Sequence, residues 1–128
     1  MSYAISKQVD CSYEEAVAKT REALKVEGFG VLTEIDVQAT LKKKLDADFR
    51  PYCILGACNP PFALRALQAE PNVGLFLPCN VIVQAVSADV SEVAAIDPVA
   101  AMAAIENPAL AGIASEVKVK LARVIDSL

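Results

Sequence analysis

The sequence predicts an α+β domain, with a largely antiparallel sheet and helices gathered on one face. The segment from Pro51 to Ala88 carries only two charged side chains, Arg65 and Glu70, and is expected to form the centre of the core. Strand and helix patterns follow one another in the order β-α-β-α-β-α-β-β-α-α. That order favours an antiparallel sheet. A length of 128 residues, without internal repeats, predicts a single domain over residues 1–128.

The first half of the chain contains two strands and a well-marked helix. Residues 2–9 alternate between apolar and polar side chains, as expected of a half-buried strand. Ser12 then opens a capping-box pattern, and the helical periodicity that follows ends at Gly28, a residue typical of helix ends. The period of two resumes over residues 29–36, which predicts the second strand. A short helix over residues 37–45 is also expected.

The second half repeats one helix-start motif three times. An Asn or Asp side chain able to cap a helix precedes a proline at the first helical position, where the missing N–H costs nothing. The three motifs are Asn59-Pro60, Asp97-Pro98 and Asn107-Pro108. They predict helices over residues 60–70, 98–105 and 108–127. The remaining apolar runs predict strands over residues 51–58, 80–86 and 92–96.

Composition excludes several functional classes. The chain has no histidine, which excludes Ser-His-Asp hydrolysis, His-ligated haem and His-containing zinc sites. A net charge of −4 with dispersed basic residues argues against nucleic acid as a partner. The longest uncharged stretch, residues 71–88, is interrupted by Pro71 and Pro78 and does not suit a membrane span. The four cysteines suit reduced thiols, and without a secretory pattern the cytoplasm is the expected location.

Four segments resemble the family catalogued as domain of unknown function 302. They are Gly28–Asp36 (GFGVLTEID), Leu55–Pro60 (LGACNP), Leu77–Val81 (LPCNV) and the Asp97-Pro98 helix start. The resemblance covers nearly the whole chain. It implies a curved antiparallel sheet with packed helices, similar to TATA-binding-protein-like domains, and a homodimer. It implies no activity, cofactor or catalytic residue, so function has to be argued from the side chains.

Two cysteines are the strongest candidates for chemistry. Cys58 immediately precedes Asn59, so its sulfur is expected near the amide end of the following helix, a setting that stabilises thiolate. Cys79 and Asn80 stand at the entry to the next strand. A helix over residues 60–70 carries the chain about 16 Å away, and the connecting segment can return it by up to about 26 Å, so the thiols can meet. If the helix joins parallel strands, they lie at opposite edges instead.

Three hypotheses for the function follow. The first is a cytoplasmic module that binds a soft metal ion, such as Cu(I) or Zn(II), through Cys58 and Cys79, or a small ligand beside them, with Asn59 and Asn80 lining the site. The second is a structural or interaction domain that acts as a homodimer without a ligand. The third is a thiol enzyme with Cys58 as nucleophile, which would need a base other than histidine. Buried cysteines commonly act as small apolar side chains, and this remains the simplest interpretation.

Overall fold

The computed structural model describes residues 2–128 and contains one open sheet of five strands. The strands are β1 (Ala4–Val9), β2 (Gly30–Asp36), β3 (Tyr52–Cys58), β4 (Cys79–Ala85) and β5 (Ser91–Ile96). Their order across the sheet is β1-β5-β4-β3-β2, and every neighbouring pair is antiparallel. The predicted α+β class with an antiparallel sheet is confirmed.

Five α-helices connect and flank these strands. They are α1 (Tyr13–Val26), α2 (Val37–Leu45), α3 (Pro60–Ala69), α4 (Pro98–Ala101) and α5 (Pro108–Asp126), and a 3₁₀ helix spans Pro71–Phe76. The helix predicted over 98–105 is shorter than expected. After Ala101 the chain continues in turns, with Met102 at the end of α4, and Asn107 is extended where α5 begins. None of the helices within residues 2–128 is long and apolar enough to cross a membrane.

Local capping explains where several helices begin. The Ser12 side chain accepts a hydrogen bond from the Glu15 amide at 3.2 Å, as the capping-box pattern predicts. Asp97 and Asn107 likewise accept hydrogen bonds from the amides of the first turns of α4 and α5. The same prediction is wrong for Asn59, whose side chain makes no capping hydrogen bond to α3. That side chain is used in a longer-range contact, described below.

The hydrophobic core lies between one face of the sheet and the helices. Alternate residues of the three central strands point to this face and are fully buried: Leu55, Val81, Val83, Val93 and Ala95. Helices α1 and α5 pack across them and contribute Leu24 and Leu121, also fully buried. Each of these buried leucine and valine side chains stabilises the fold by about 1.5–3 kcal/mol relative to an exposed position.

The opposite face of the sheet carries a row of apolar side chains that are less well covered. The strand register aligns Ile35, Ile54, Ile82 and Ala94 across β2, β3, β4 and β5. Ile54 and Ile82 are half-buried, and Ile35 is 49% exposed. We call these four residues the isoleucine row.

Asp97 connects three elements beside the core. One carboxylate oxygen caps α4, and the other lies 2.9 Å from the Lys118 ammonium group on α5, although the Asp97 side chain is only 8% exposed. Burial raises the pKa of this carboxyl group, but hydrogen bonds from Lys118 and from the Ala100 and Val99 amides lower it more. The net pKa therefore lies below the usual value, and the charged form stabilises the fold.

Replacing this carboxylate should destabilise the protein in a pH-dependent way. We expect Asp97→Ala to lower the free energy of unfolding by about 1–2 kcal/mol near neutral pH, mainly through loss of the cap. A lowered pKa in the folded state means that the ionic part of this stabilisation is present above the unfolded pKa of about 3.9 and fades as the pH falls through the folded value. Urea denaturation between pH 7 and pH 3 measures the difference.

Asp89→Ala is the matched control, because Asp89 is exposed between β4 and β5. It should change stability by less than about 0.5 kcal/mol. A difference between wild type and Asp97→Ala that grows as the solution is acidified would contradict the ionic role assigned to Asp97.

Candidate functional site

A cavity of about 310 Å³ lies between helices α3, α4 and α5 and one end of the sheet. We call it the α3–α5 cavity. Helices α3 and α5 run antiparallel beside it. Their contacts show this orientation: Arg65 of α3 pairs with Glu116 of α5 at 3.2 Å, and Asn107 donates to the Ala69 carbonyl at the other end of α3 at 2.9 Å. The helices contribute Phe62, Ala63, Ala66, Leu67, Met102, Leu110, Ile113, Ala114 and Val117 to its wall. Leu32 and Leu67 are 67% and 43% exposed, so the cavity reaches the molecular surface beside them.

Three of the four predicted site residues line this cavity, namely Cys58, Asn59 and Cys79. The antiparallel pairing of β3 and β4 brings the two thiols to the same end of the sheet, since Ala57 is the register partner of Cys79 and Cys58 is the last residue of β3. The alternative in which parallel strands separate the thiols is therefore not realised. Asn80 is exposed and lies outside the cavity wall, since successive strand residues point to opposite faces of a sheet.

The two cysteines have different environments. Cys79 is only 7% exposed, whereas Cys58 is half-buried. Burial, assisted by the nearby Cys58, raises the pKa of the Cys79 thiol to about 11. Cys79 is therefore a neutral thiol at physiological pH and contributes to the cavity as a small apolar side chain with a weak S–H donor.

The start of α3 offers fewer backbone donors than a typical helix N-terminus. Pro60 and Pro61 have no N–H group, and the Ala63 amide donates to the Asn59 carbonyl at 2.9 Å. This leaves Phe62 as the one residue of the first turn whose amide is not used within the helix. The expected thiolate-stabilising setting at Cys58 is correspondingly weaker than its position before a helix implied.

Asn59 joins the start of α3 to the end of α1. Its side-chain Nδ2 donates to the Glu27 carbonyl at 3.2 Å, and the residue is only 9% exposed. The neighbouring Gly28 has φ of +84°, and a Cβ atom there would lie 3.3 Å from Asn59 Nδ2. The left-handed backbone therefore favours glycine at position 28, and a Cβ atom there would also require the Asn59 amide to shift by a few tenths of an ångström.

Residues 2–128 contain no group of three or more Cys, Asp, Glu or His side chains arranged to hold a metal ion. Cys58 and Cys79 supply two sulfur atoms, whereas a tetrahedral zinc centre needs four ligands. Further ligands would have to come from outside the described part of the chain or from a second molecule.

Sequence reasoning missed the helical part of the cavity wall. Leu110, Ile113 and Val117 form one buried stripe of α5, the helix predicted over residues 108–127. They also face the open space beside α3. The wall opposite them includes Ala63 and Ala66, but alanine in a helix does not by itself indicate a void, so the sequence carried no direct signal for the cavity.

Comparison with known proteins identifies the wider group to which this structure is similar. The family model for the domain of unknown function DUF302 matches residues 5–128. The crystal structure of an uncharacterised conserved DUF302 protein from Bacillus stearothermophilus is similar over 98% of both chains, with 32% sequence identity and a TM-score of 0.91. No curated protein is similar enough to count as a match.

The different environments of the two cavity cysteines predict different rates of alkylation. At pH 8 we expect iodoacetamide to modify Cys58 roughly tenfold or more faster than Cys79, because a thiol with a pKa of about 11 is almost entirely protonated and is also buried. Peptide mass spectrometry over time gives both rates. In 8 M urea the two cysteines should react at similar rates, and faster modification of Cys79 in the folded protein would contradict the prediction.

Proposed function

The chain belongs to the DUF302 family, and we propose that it is a binding module that holds a small apolar molecule in the α3–α5 cavity. The observation that carries this proposal is the combination of size and chemistry. The cavity has a volume of about 310 Å³, within the usual range for small-molecule sites, and its lining residues are uncharged. The protein is further proposed to act in the cytoplasm, because its four free cysteines suit a reducing compartment.

Close packing of protein interiors supports this proposal. A void in a core forfeits contacts between side chains and lowers stability in proportion to its volume. Ala63, Ala66 and Ala114 face the cavity, and larger apolar side chains at these positions would fill it. An apolar ligand would restore the missing contacts without any change in the helices.

The composition of the cavity wall makes metal binding and thiol catalysis through Cys58 and Cys79 less favourable proposals. A soft metal ion binds through thiolate ligands, and Cys58 and Cys79 supply only two, with no group of three or more metal-binding side chains within residues 2–128. A nucleophilic Cys58 would need a base to remove its proton, but the wall around it contains no carboxylate, lysine or tyrosine. An apolar ligand makes neither demand.

Filling the cavity should abolish binding while preserving the fold. We expect wild-type protein to bind naphthalene, and Ala114→Leu to weaken that binding roughly tenfold or more, because Ala114 lies in the wall and the added carbons occupy the ligand's space. Isothermal titration calorimetry measures both affinities, and circular dichroism checks the fold.

Ala111→Leu provides the matched control on the same helix, because Ala111 is exposed and is not part of the cavity wall. It should bind naphthalene as wild type does. If wild type binds no naphthalene, or if the two leucine variants bind it equally well, the cavity is not the binding site proposed here.

A second candidate function is that of a homodimeric interaction domain, and the isoleucine row favours it. Its side chains are uncharged and are aligned across four strands by the register. A twofold axis would place the apolar side chains of this row against those of its own copy. Packing of two such rows would remove the half-exposed Ile35, Ile54 and Ile82 from water.

A charge within the isoleucine row should therefore dissociate the dimer. We expect sedimentation velocity to show a dimer for wild type at micromolar concentration and a monomer for Ile35→Lys, because a buried unpaired ammonium group is costly. Val119→Lys is the matched control, since Val119 lies on α5 and is 52% exposed against 49% for Ile35. A wild-type protein that sediments as a monomer at all concentrations would rule out this interface.

A further inference from the structure

The wall of the α3–α5 cavity indicates the charge of its ligand. No Asp, Glu, Lys or Arg lines it. Two cations lie nearby, with the Arg65 guanidinium 5.4 Å and the Lys120 ammonium 6.0 Å from the centre of the Phe62 ring, but neither belongs to the wall. Placing a charged group inside would leave it without a partner, at a high desolvation cost. A neutral ligand avoids that cost.

One polar side chain interrupts the apolar wall. Asn59 is nine-tenths buried, and its Nδ2 group already donates to the Glu27 carbonyl. Its Oδ1 atom accepts no hydrogen bond from residues 2–128. Every side-chain nitrogen or oxygen that is sealed from solvent in this part of the chain has a partner, so Oδ1 must retain access to open space. Because Asn59 lines the cavity, we infer that Oδ1 faces that space.

The orientation of this amide is fixed by its other contact. Exchanging Oδ1 and Nδ2 would bring two oxygen atoms together at the Glu27 carbonyl, so the bond to Glu27 assigns the nitrogen to that side. Oδ1 is therefore an acceptor, and its matching partner on a ligand is a hydrogen-bond donor. A carboxylate or an ether offers no proton to it.

The volume limits the size of the ligand. A dry cavity of about 150 Å³ in another protein holds a benzene ring. The α3–α5 cavity has about 310 Å³ and so has room for an apolar body of about ten to twelve carbon atoms. Asn59 and Phe62 lie at the start of α3, whereas Met102 and Leu110 lie towards its other end, where α5 begins. The one polar contact is therefore near one end of the space.

We propose that the ligand is a neutral alcohol or phenol with about ten to twelve carbon atoms, whose hydroxyl group donates to Oδ1 of Asn59 while its apolar body fills the cavity. This inference rests on the proposed binding function and specifies the chemical class of the ligand. The apolar body supplies most of the affinity, and the hydroxyl group fixes its orientation.

Four compounds of similar size test the proposal in wild-type protein by isothermal titration calorimetry: naphthalene, 1-naphthol, 1-methoxynaphthalene and 1-naphthoate. We expect 1-naphthol to bind about three- to tenfold more tightly than naphthalene and 1-methoxynaphthalene, because only 1-naphthol can donate to Oδ1. The anion 1-naphthoate should bind most weakly. Equal affinities for 1-naphthol and 1-methoxynaphthalene would overturn the proposal, as would tighter binding of 1-naphthoate, which would indicate a carboxylate directed at Lys120. If naphthalene binds but 1-naphthol does not bind more tightly, the proposed binding function stands and the hydroxyl contact is rejected. If none of the four compounds binds, the binding function and the hydroxyl contact are both rejected.

The Asn59→Ala variant tests the contact directly. The preference for 1-naphthol over naphthalene should fall to about onefold, and the two affinities are compared within the variant because Asn59 also positions α3. Asn80→Ala is the matched control, because Asn80 is exposed outside the cavity, and it should keep the wild-type preference.

Loss of the Glu27 contact could also unfold Asn59→Ala, which circular dichroism detects. In that case, NMR of the Asn59 side-chain amide in wild type decides: a shift with 1-naphthol but not with 1-methoxynaphthalene supports the proposal, and equal shifts overturn it.

Discussion

Two asparagine side chains fix α3 at its ends, and the α3–α5 cavity depends on them. At the start of the helix, Asn59 donates to the Glu27 carbonyl at the end of α1. At its other end, the Ala69 carbonyl accepts from Asn107, which also caps α5. Both bonds satisfy carbonyl groups that a helix end leaves without a partner. The Asn59 bond joins α3 to the end of α1, and the Asn107 bond joins α3 to the start of α5. The small side chains of Ala63, Ala66 and Ala114 line the space between α3 and α5.

The helix-start motif shows which part of this arrangement a sequence can predict. Asp97 and Asn107 cap their helices as predicted, because a cap involves only the next two or three residues. Asn59 has the same local pattern, yet its amide contacts a carbonyl 32 positions earlier in the chain. The outcome depends on where α1 ends in space relative to α3. The local sequence around Asn59 does not determine the distance between the end of α1 and the start of α3.

Similar reasoning separates the predictable and unpredictable parts of the site. The apolar runs and turn residues identified all five strands, and antiparallel pairing then brings Cys58 next to the cross-strand neighbour of Cys79. The order of strands was not determined by periodicity, so proximity of the two cysteines stayed one of two alternatives. The 3₁₀ helix over Pro71–Phe76 and the void itself depend on packing between distant segments. Alanine residues in a helix are equally compatible with a filled core and with a cavity.

The burial of Cys79 links the two interpretations that the cysteines allowed. A metal site or a catalytic thiol requires a thiolate, which is favoured by water, by positive charge or by backbone amides. An apolar cavity requires the absence of water, positive charge and free backbone amides. At Cys79 the wall excludes charged groups and raises the thiol pKa to about 11, so the environment that suits an apolar ligand is the one that suppresses thiolate chemistry. Because Pro60 and Pro61 also remove amide donors beside Cys58, both cysteines are better matched to a neutral apolar partner than to a cation.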